Sequence, residues 1–299
     1  MSAKIKYFLI SFFLIITTSS HALDLRYGRG DFKINASIAP LISGNMKFNI
    51  DTWTLSQPHS NIGKSPVFYS VRFDYFESGF VNQITDFASL PLTTPFPATG
   101  QSIDDLIDQY TPVPVPADYR IHGTNLDISL GYDFIKNNQG FLGLGINTGL
   151  SLPFMKTRNL QSDANLVLDL LDTFETEIRT WKIGPVLHAG FKPTNGLSLR
   201  GLAAWNYQTG KLDNNFLGSG IQIDGDYLTL DLNAQLHLAE LLQNTGWLNR
   251  WYVTGGYAYS KWDYDDTTVN ILSNSISIPR VLDMDYSHTN LYLGLGYQF

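Results

Sequence analysis

Three histidines in strand-like segments are the first residues to consider for catalysis. A nucleophile and a histidine on one strand must be two residues apart, because side chains on one face of a strand recur at every second position. His188, His237 and His288 are followed at that spacing by glycine, alanine and asparagine. Ser287 adjoins His288 but points to the opposite face. The sequence therefore lacks the serine–histidine pattern that hydrolysis through an acyl intermediate requires.

Paired aspartates are the second candidate group. Three Asp-x-Asp pairs occur, at Asp224/Asp226, Asp263/Asp265 and Asp283/Asp285. Such carboxylates could serve acid–base chemistry or bind Ca²⁺ or Mg²⁺ through oxygen ligands. The densest group, at 263–266, has no EF-hand spacing, and no glycine-rich phosphate loop accompanies it. We interpret these acids as solvated loop residues and identify no catalytic residue, metal ligand or cofactor site.

Charged side chains also alternate with apolar ones along several segments. Asp127 and Asp133, for example, alternate with leucine, isoleucine and tyrosine across 126–134. This pattern fits a wall with water on one side better than a soluble core. By the same alternation, the polar face receives Lys47, Asp51, Arg72, Asp74, Asp127, Asp133, Lys182, His188, Arg200, Asp231, His237 and His288.

The elements that would position these residues are strands. Period-two segments occur near 31–40, 45–55, 67–77, 121–135, 140–153, 178–192, 196–207, 225–238, 250–263 and 285–299. These are about ten strands, although the phase around Trp53 is unclear and eight or twelve remain possible. Ten is compatible with the even strand numbers of bacterial single-chain barrels. Two further segments, 102–108 and 163–174, have helical periodicity.

The N-terminal residues have the layout of an export signal. Lys4 and Lys6 precede an apolar run over 7–16, and Ser20 and Ala22 supply the small residues of a cleavage site. The run is too short to span a bilayer as a helix. We expect a signal peptide over 1–22 and a mature chain over 23–299.

The C-terminal segment Leu291–Phe299 alternates leucine and aromatic residues with glycine and polar residues. With the signal-like N-terminus, it resembles the Gram-negative outer-membrane β-barrel proteins, whose closing strand ends in an aromatic residue. The resemblance implies an all-β, transmembrane, antiparallel up-and-down barrel in the outer membrane. It also implies that Phe299 and Tyr297 act as the assembly signal that the barrel-assembly machinery reads.

Strand direction gives this expectation an internal check. If the last strand runs toward the periplasm, the connections at 136–139 and 193–195 are periplasmic and short. The segments at 78–120, 154–177, 208–224 and 264–284 are then extracellular and long. Short periplasmic turns and long extracellular loops are the usual asymmetry of such barrels.

Composition limits the function. The formal net charge is −7, with no cysteine, so the chain has no footprint for nucleic acid and no disulfide or thiolate metal site. We expect outer-membrane lipid and lipopolysaccharide as its surroundings and leave the extracellular partner open. The favoured role is non-enzymatic surface contact or envelope integrity, with a lumen closed by paired charges. The alternatives are a narrow channel for a small solute and a hydrolase with a site at the extracellular rim.

Overall fold

A computed structural model describes residues 22–38, 42–89, 111–159, 173–214, 218–242, 246–271, 274–277 and 282–299. They form one antiparallel sheet whose first strand pairs with both the second and the last, so the sheet closes into a barrel. Closure pairs every edge, as a sheet in lipid requires. The expected all-β barrel is confirmed.

The strands are β1 Ala22–Ile38, β2 Ile42–Asn61, β3 Val67–Ser78, β4 Val81–Ser89, β5 Thr111–Asn137, β6 Gly140–Arg158, β7 Thr173–Thr194, β8 Leu197–Asn214, β9 Gly218–His237, β10 Trp251–Ile271, β11 Asn274–Ser277 and β12 Leu282–Gln298. A short helix, α1 Leu238–Leu242, and a 3-10 turn, Trp247–Arg250, lie between β9 and β10. No helix in the described part of the chain is long and apolar enough to cross a membrane.

These twelve segments form ten wall strands. β3 and β4 pair with successive parts of β5 and make one strand that is interrupted at 79–80. At the interruption the Ser78 hydroxyl accepts a hydrogen bond from the Ile121 amide at 2.9 Å, which replaces a missing backbone acceptor. β11 is a short return that pairs only with β10. The expectation of ten strands is therefore confirmed.

The outer face of the barrel carries an apolar belt. Leu130, Leu144, Ile146 and Leu293 are each more than half exposed, although all lie in well-paired strands. Trp181, Trp205 and Tyr207 are also exposed, toward the extracellular ends of β7 and β8. Exposed leucines bordered by aromatic rings are the surface that a barrel presents to lipid.

Above the belt, on the extracellular side, the alternation reverses. On β2, Met46, Phe48 and Ile50 point inward, whereas Thr52 and Thr54 occupy the same inner face further down. The outer face is apolar within the belt and polar above it. Water surrounds this upper half, so its apolar side chains pack inward, as they do in a soluble protein.

This reversal corrects two assignments made from the sequence. Lys47 and Asp51 were expected on the inner face, but both lie on the outer surface. Lys47 pairs with Asp31 at 2.9 Å, and Asp51 pairs with Arg29 at 2.8 Å. The expectation was wrong because it assumed one polar face along the whole strand.

The strands also extend further than the alternation indicated. β1 begins at Ala22 rather than near 31, and the segments expected as extracellular loops contain long stretches of strand. The turns at 138–139 and 195–196 are short and lie at the periplasmic end, as expected. The predicted helix over 102–108 lies outside the described residues. So does the helix over 163–174, apart from its last two residues, which belong to β7.

Candidate functional site

The barrel interior within the apolar belt contains a chain of alternating charges. Asp231 on β9 accepts from Arg26 at 2.9 Å and from Arg72 at 3.0 Å. Arg26 also pairs with Asp24, and Arg72 with Asp74, each at 2.8 Å. Because Arg72 lies on β3 and Asp231 lies on β9, on opposite sides of the ten-strand wall, this network crosses the interior from one wall to the opposite one.

Neutral hydroxyl groups complete the coordination of these carboxylates. The Tyr292 hydroxyl donates to Asp231 at 2.5 Å, and Thr54 donates to Asp74 at 2.5 Å. Tyr252 donates to Asp24. Buried charges are tolerated when they are paired and hydrogen-bonded in this way.

A second ion pair lies nearer the extracellular half. The Lys182 ammonium on β7 is fully buried and lies 3.0 Å from an Asp127 oxygen on β5. It also lies 3.6 Å from the centre of the Tyr227 ring, a cation–π contact. The Asn147 amide donates to the same Asp127 oxygen, Oδ1, at 3.0 Å. The lysine is thus held by an anion and an aromatic face together.

An apolar cluster occupies the interior above these charges. Its members come from β1, β2, β3, β5, β7, β8, β9, β10 and β12, so nearly every wall strand contributes. The largest fully buried side chains in it are Phe32, Phe48, Phe76, Tyr227, Trp262 and Tyr264. The ring centres of Phe32 and Phe76 are 5.4 Å apart, and those of Phe32 and Trp262 are 5.8 Å apart. The extracellular half thus has a core like that of a soluble domain.

Arg200 differs from the other interior cations. None of the ion pairs in the described part of the chain includes it, and its Nη1 atom is buried without a hydrogen-bond partner. Arg200 borders a cavity of about 50 Å³, which His188, Arg72 and Asn233 also line. A cavity of this volume holds only a few water molecules.

Among the described residues, one carboxylate–imidazole contact lies in the interior, toward the periplasmic end. His59 Nε2 is 3.2 Å from an Asp133 oxygen, and the His59 ring stacks on Phe141 with ring centres 3.8 Å apart. His59 Nδ1 is buried and has no hydrogen-bond partner. Without a hydroxyl on that nitrogen, the described residues here do not form a nucleophile–histidine–carboxylate arrangement.

His288 and His237 are also positioned for packing. His288 packs against both Phe32 and Phe76, and its Nε2 is 3.3 Å from the Thr52 hydroxyl. His237 packs against Tyr252 at the periplasmic end of β9. Asp285 is on the outer surface, so it does not share a face with His288, and the two do not form an Asp–His pair.

A lysine bridges two of the outer acids. Lys261 Nζ lies 2.6 Å from Asp263 and 3.0 Å from Asp285, above the apolar belt. The hydrogen bond to Asp263 raises the pKa of Lys261 above its ordinary value, so the ammonium stays charged. Among the described side chains, which exclude those of 265 and 266, no group of three acids or histidines could hold a metal ion.

Several interior residues were not found from the sequence. Asp24 and Arg26 lie in the part of β1 that directly follows the signal-like segment, where no strand was assigned. The available signal was their spacing, because two charged residues separated by Leu25 lie on the same face of a strand. His59 lies beyond the expected end of β2. Tyr252 and Tyr292 were not assigned to the polar network because the sequence does not indicate which aspartates their hydroxyl groups contact.

Comparison with solved structures identifies the fold. OmpT, the outer membrane protease of Escherichia coli, superposes with a TM-score of 0.57 at 12% identity, over 95% of this chain and 98% of that one. The translocator domain of the autotransporter NalP from Neisseria meningitidis gives 0.39 at 10% identity, over 99% and 94%. Ail of Yersinia pestis gives 0.32 at 10% identity, over 94% and 100%. No protein-family model matches the sequence, and the comparison with curated proteins gives no match.

The chain has the fold of the bacterial outer-membrane β-barrels. The ten-strand closed sheet, the exposed apolar belt and the fold shared with OmpT agree on this architecture. Its location is the outer membrane, where barrels of this kind reside.

Proposed function

We propose that this protein is a closed, non-conducting barrel that serves surface contact or envelope integrity. The observation that carries the proposal is the apolar cluster in the extracellular half of the interior. A solute path needs a continuous polar lining, whereas this region is occupied by fully buried aromatic rings. The alternative of a narrow channel would require these rings to move aside.

The ion-pair network, which lies on the periplasmic side of the apolar cluster, supports the same proposal. Asp231, Arg26 and Arg72 bridge opposite walls within the belt, where a ten-stranded barrel is only slightly wider than one that its own side chains fill. The charges expected on the inner face therefore act, in this proposal, as internal cross-links. They do not act as an ion path.

The surface above the membrane supports a contact role. Its outer face carries many ion pairs between neighbouring strands, including Lys156–Glu175 at 2.7 Å and Arg179–Asp213 at 2.8 Å. Such a charged, strand-built surface is solvated and well ordered, and it suits contact with another macromolecule. A rim hydrolase is less well supported, because the described residues place no aspartate–histidine pair at the rim.

The proposal includes the surroundings expected from the sequence. Outer-membrane lipid and lipopolysaccharide would contact the apolar belt, and the barrel-assembly machinery would act during biogenesis through Tyr297 and Phe299. We propose no nucleic-acid partner, and no cofactor enters the proposal.

Uptake by intact cells tests the proposal. A strain without the gene is compared with the parent and with a complemented strain, each producing a periplasmic β-lactamase that hydrolyses nitrocefin. Loss of a closed barrel should leave nitrocefin uptake unchanged or increase it through a weakened envelope, and should increase sensitivity to detergent. A fall in uptake that complementation restores would overturn the proposal in favour of a channel.

A further inference from the structure

The outer wall has a groove on the side where the barrel closes. β9, β10, β12 and β1 form it, and Leu232, Tyr257, Leu291 and Leu293 line it. Leu232, Leu291 and Leu293 are each more than 60% exposed, so the groove lies on the apolar belt. Its surface is therefore continuous with the surface that already contacts lipid.

Gly255 creates the depression. It shares the outer face of β10 with Tyr257 and lies across from Ala234 on β9 and Leu293 on β12. A Cβ atom at Gly255 would reach the end of the Leu293 side chain at 3.1 Å, so a larger residue would fill the groove. Glycine within a strand often marks a place where another molecule approaches closely.

Arg29 stands at the extracellular end of this groove. It is the first polar residue on the outer face of β1 above Tyr27, and it lies directly across from Leu291. Its side chain is 75% exposed, yet Nε is held by the Tyr27 hydroxyl at 3.0 Å and by Asp51 at 2.8 Å. Both contacts use Nε, so the two terminal nitrogens remain available for an anion.

Two lysines add positive charge further up the outer face, four residues above Arg29 and Asp51 along β1 and β2. Lys33 and Lys47 are direct cross-strand partners on the outer face, and Lys47 pairs with Asp31 at 2.9 Å. Like charges directly opposite one another are destabilising, and a bound anion would relieve that repulsion. The three cations exceed their two carboxylate partners, Asp31 and Asp51, by one charge.

We infer that this groove binds a phosphorylated, acylated glycolipid of the outer leaflet, with one acyl chain over Gly255 and a phosphate at Arg29. The apolar floor matches a hydrocarbon chain, and a guanidinium matches a phosphate in charge and geometry. The height of Arg29, at the extracellular edge of the belt, selects the outer leaflet. The site is on the outer wall, so it does not depend on whether the lumen is closed.

Native mass spectrometry of the purified full-length barrel tests this inference. Delipidated protein is titrated with bisphosphorylated hexa-acyl lipid A or with phosphatidylglycerol. The variants are Gly255→Leu, which fills the groove, and Arg29→Gln, which removes the charge. Lys192→Gln is the matched control, because Lys192 is an exposed cation near the periplasmic end. Only protein with heat-modifiable gel migration, and hence a folded barrel, is measured.

The expected result is one tightly bound lipid A on the wild type. Arg29→Gln should weaken it about tenfold through the lost charge-assisted contact, and Gly255→Leu should abolish it. Lys192→Gln should bind as the wild type does. Equal binding by all four proteins, or equal weakening by Lys192→Gln, would overturn the site. Binding of phosphatidylglycerol as tight as that of lipid A would overturn the glycolipid assignment.

Discussion

At the scale of single residues, the interior cations divide into paired and unpaired ones. Lys182 is fully buried against Asp127, whereas Arg200 borders a small cavity and has no carboxylate partner among the described residues. Both face the interior from adjacent strands, but Lys182 lies opposite Gln208 and Arg200 lies opposite Gly190, so Lys182 is nearer the extracellular end. Each is a buried cation, and only Lys182 has a carboxylate partner, so the two residues can be compared.

Lys182→Met should lower the free energy of unfolding by about 3–5 kcal/mol, because it leaves the Asp127 carboxylate buried without a counter-charge. Arg200→Met should cost much less, since no direct ion pair is broken. Urea unfolding of the purified barrel in lipid vesicles measures both.

A double variant is the control for the Lys182 effect. Lys182→Met combined with Asp127→Leu should recover part of the lost stability, because no uncompensated charge remains. Equal losses at Lys182 and Arg200, or no recovery in the double variant, would contradict the assignment of Lys182–Asp127 as an ion pair that stabilises the interior.

At the scale of the strand, the important feature is the change of face at the edge of the belt. Within lipid the apolar side chains of a strand point outward, and above the lipid those of the same strand point inward. β1 shows it as clearly as β2, since Leu25 is exposed and Phe32 and Ile34 are buried.

Phe48→Ala and Lys47→Ala test this change on β2. Phe48 is fully buried in the apolar cluster, so its truncation should cost about 3–5 kcal/mol of unfolding free energy. Lys47 belongs to a surface ion pair, so its truncation should cost at most about 1 kcal/mol. If Lys47 were inside, as the alternation alone predicted, Lys47→Ala would cost more unfolding free energy than Phe48→Ala. The same urea titration measures both losses.

The sequence allowed the existence of the strands to be predicted better than their faces or ends. Alternation within the belt is strong, and it located the periplasmic ends of β5 and β6 to within two residues. Above the belt, the polar and apolar faces of a strand are exchanged, so the alternation pattern is interrupted although the strand continues. The extracellular ends of the strands were therefore interpreted as loops. At β1 the charged residues Asp24 and Arg26 weakened the apolar signal in the same way. Pairings such as Arg26–Asp231 join residues far apart in the chain, and no local pattern indicates them.

At the scale of the whole molecule, the barrel contains two different interiors in sequence along its axis. The part within the membrane is cross-linked by charges, and the part above it is filled by aromatic and aliphatic side chains. Each interior suits its own surroundings, lipid below and water above. In the proposed function, the two interiors act as consecutive barriers to a solute.

Planar-bilayer recording of the purified, folded wild-type protein tests whether the barrel is closed. A barrel closed by both layers should insert without steady conductance, at either polarity and at high salt. Salt is a useful condition because ion pairs exposed to a water-filled path would be screened, whereas buried ones are screened much less. A steady, large, open conductance from the wild-type barrel would contradict the proposal of a closed barrel and establish a channel.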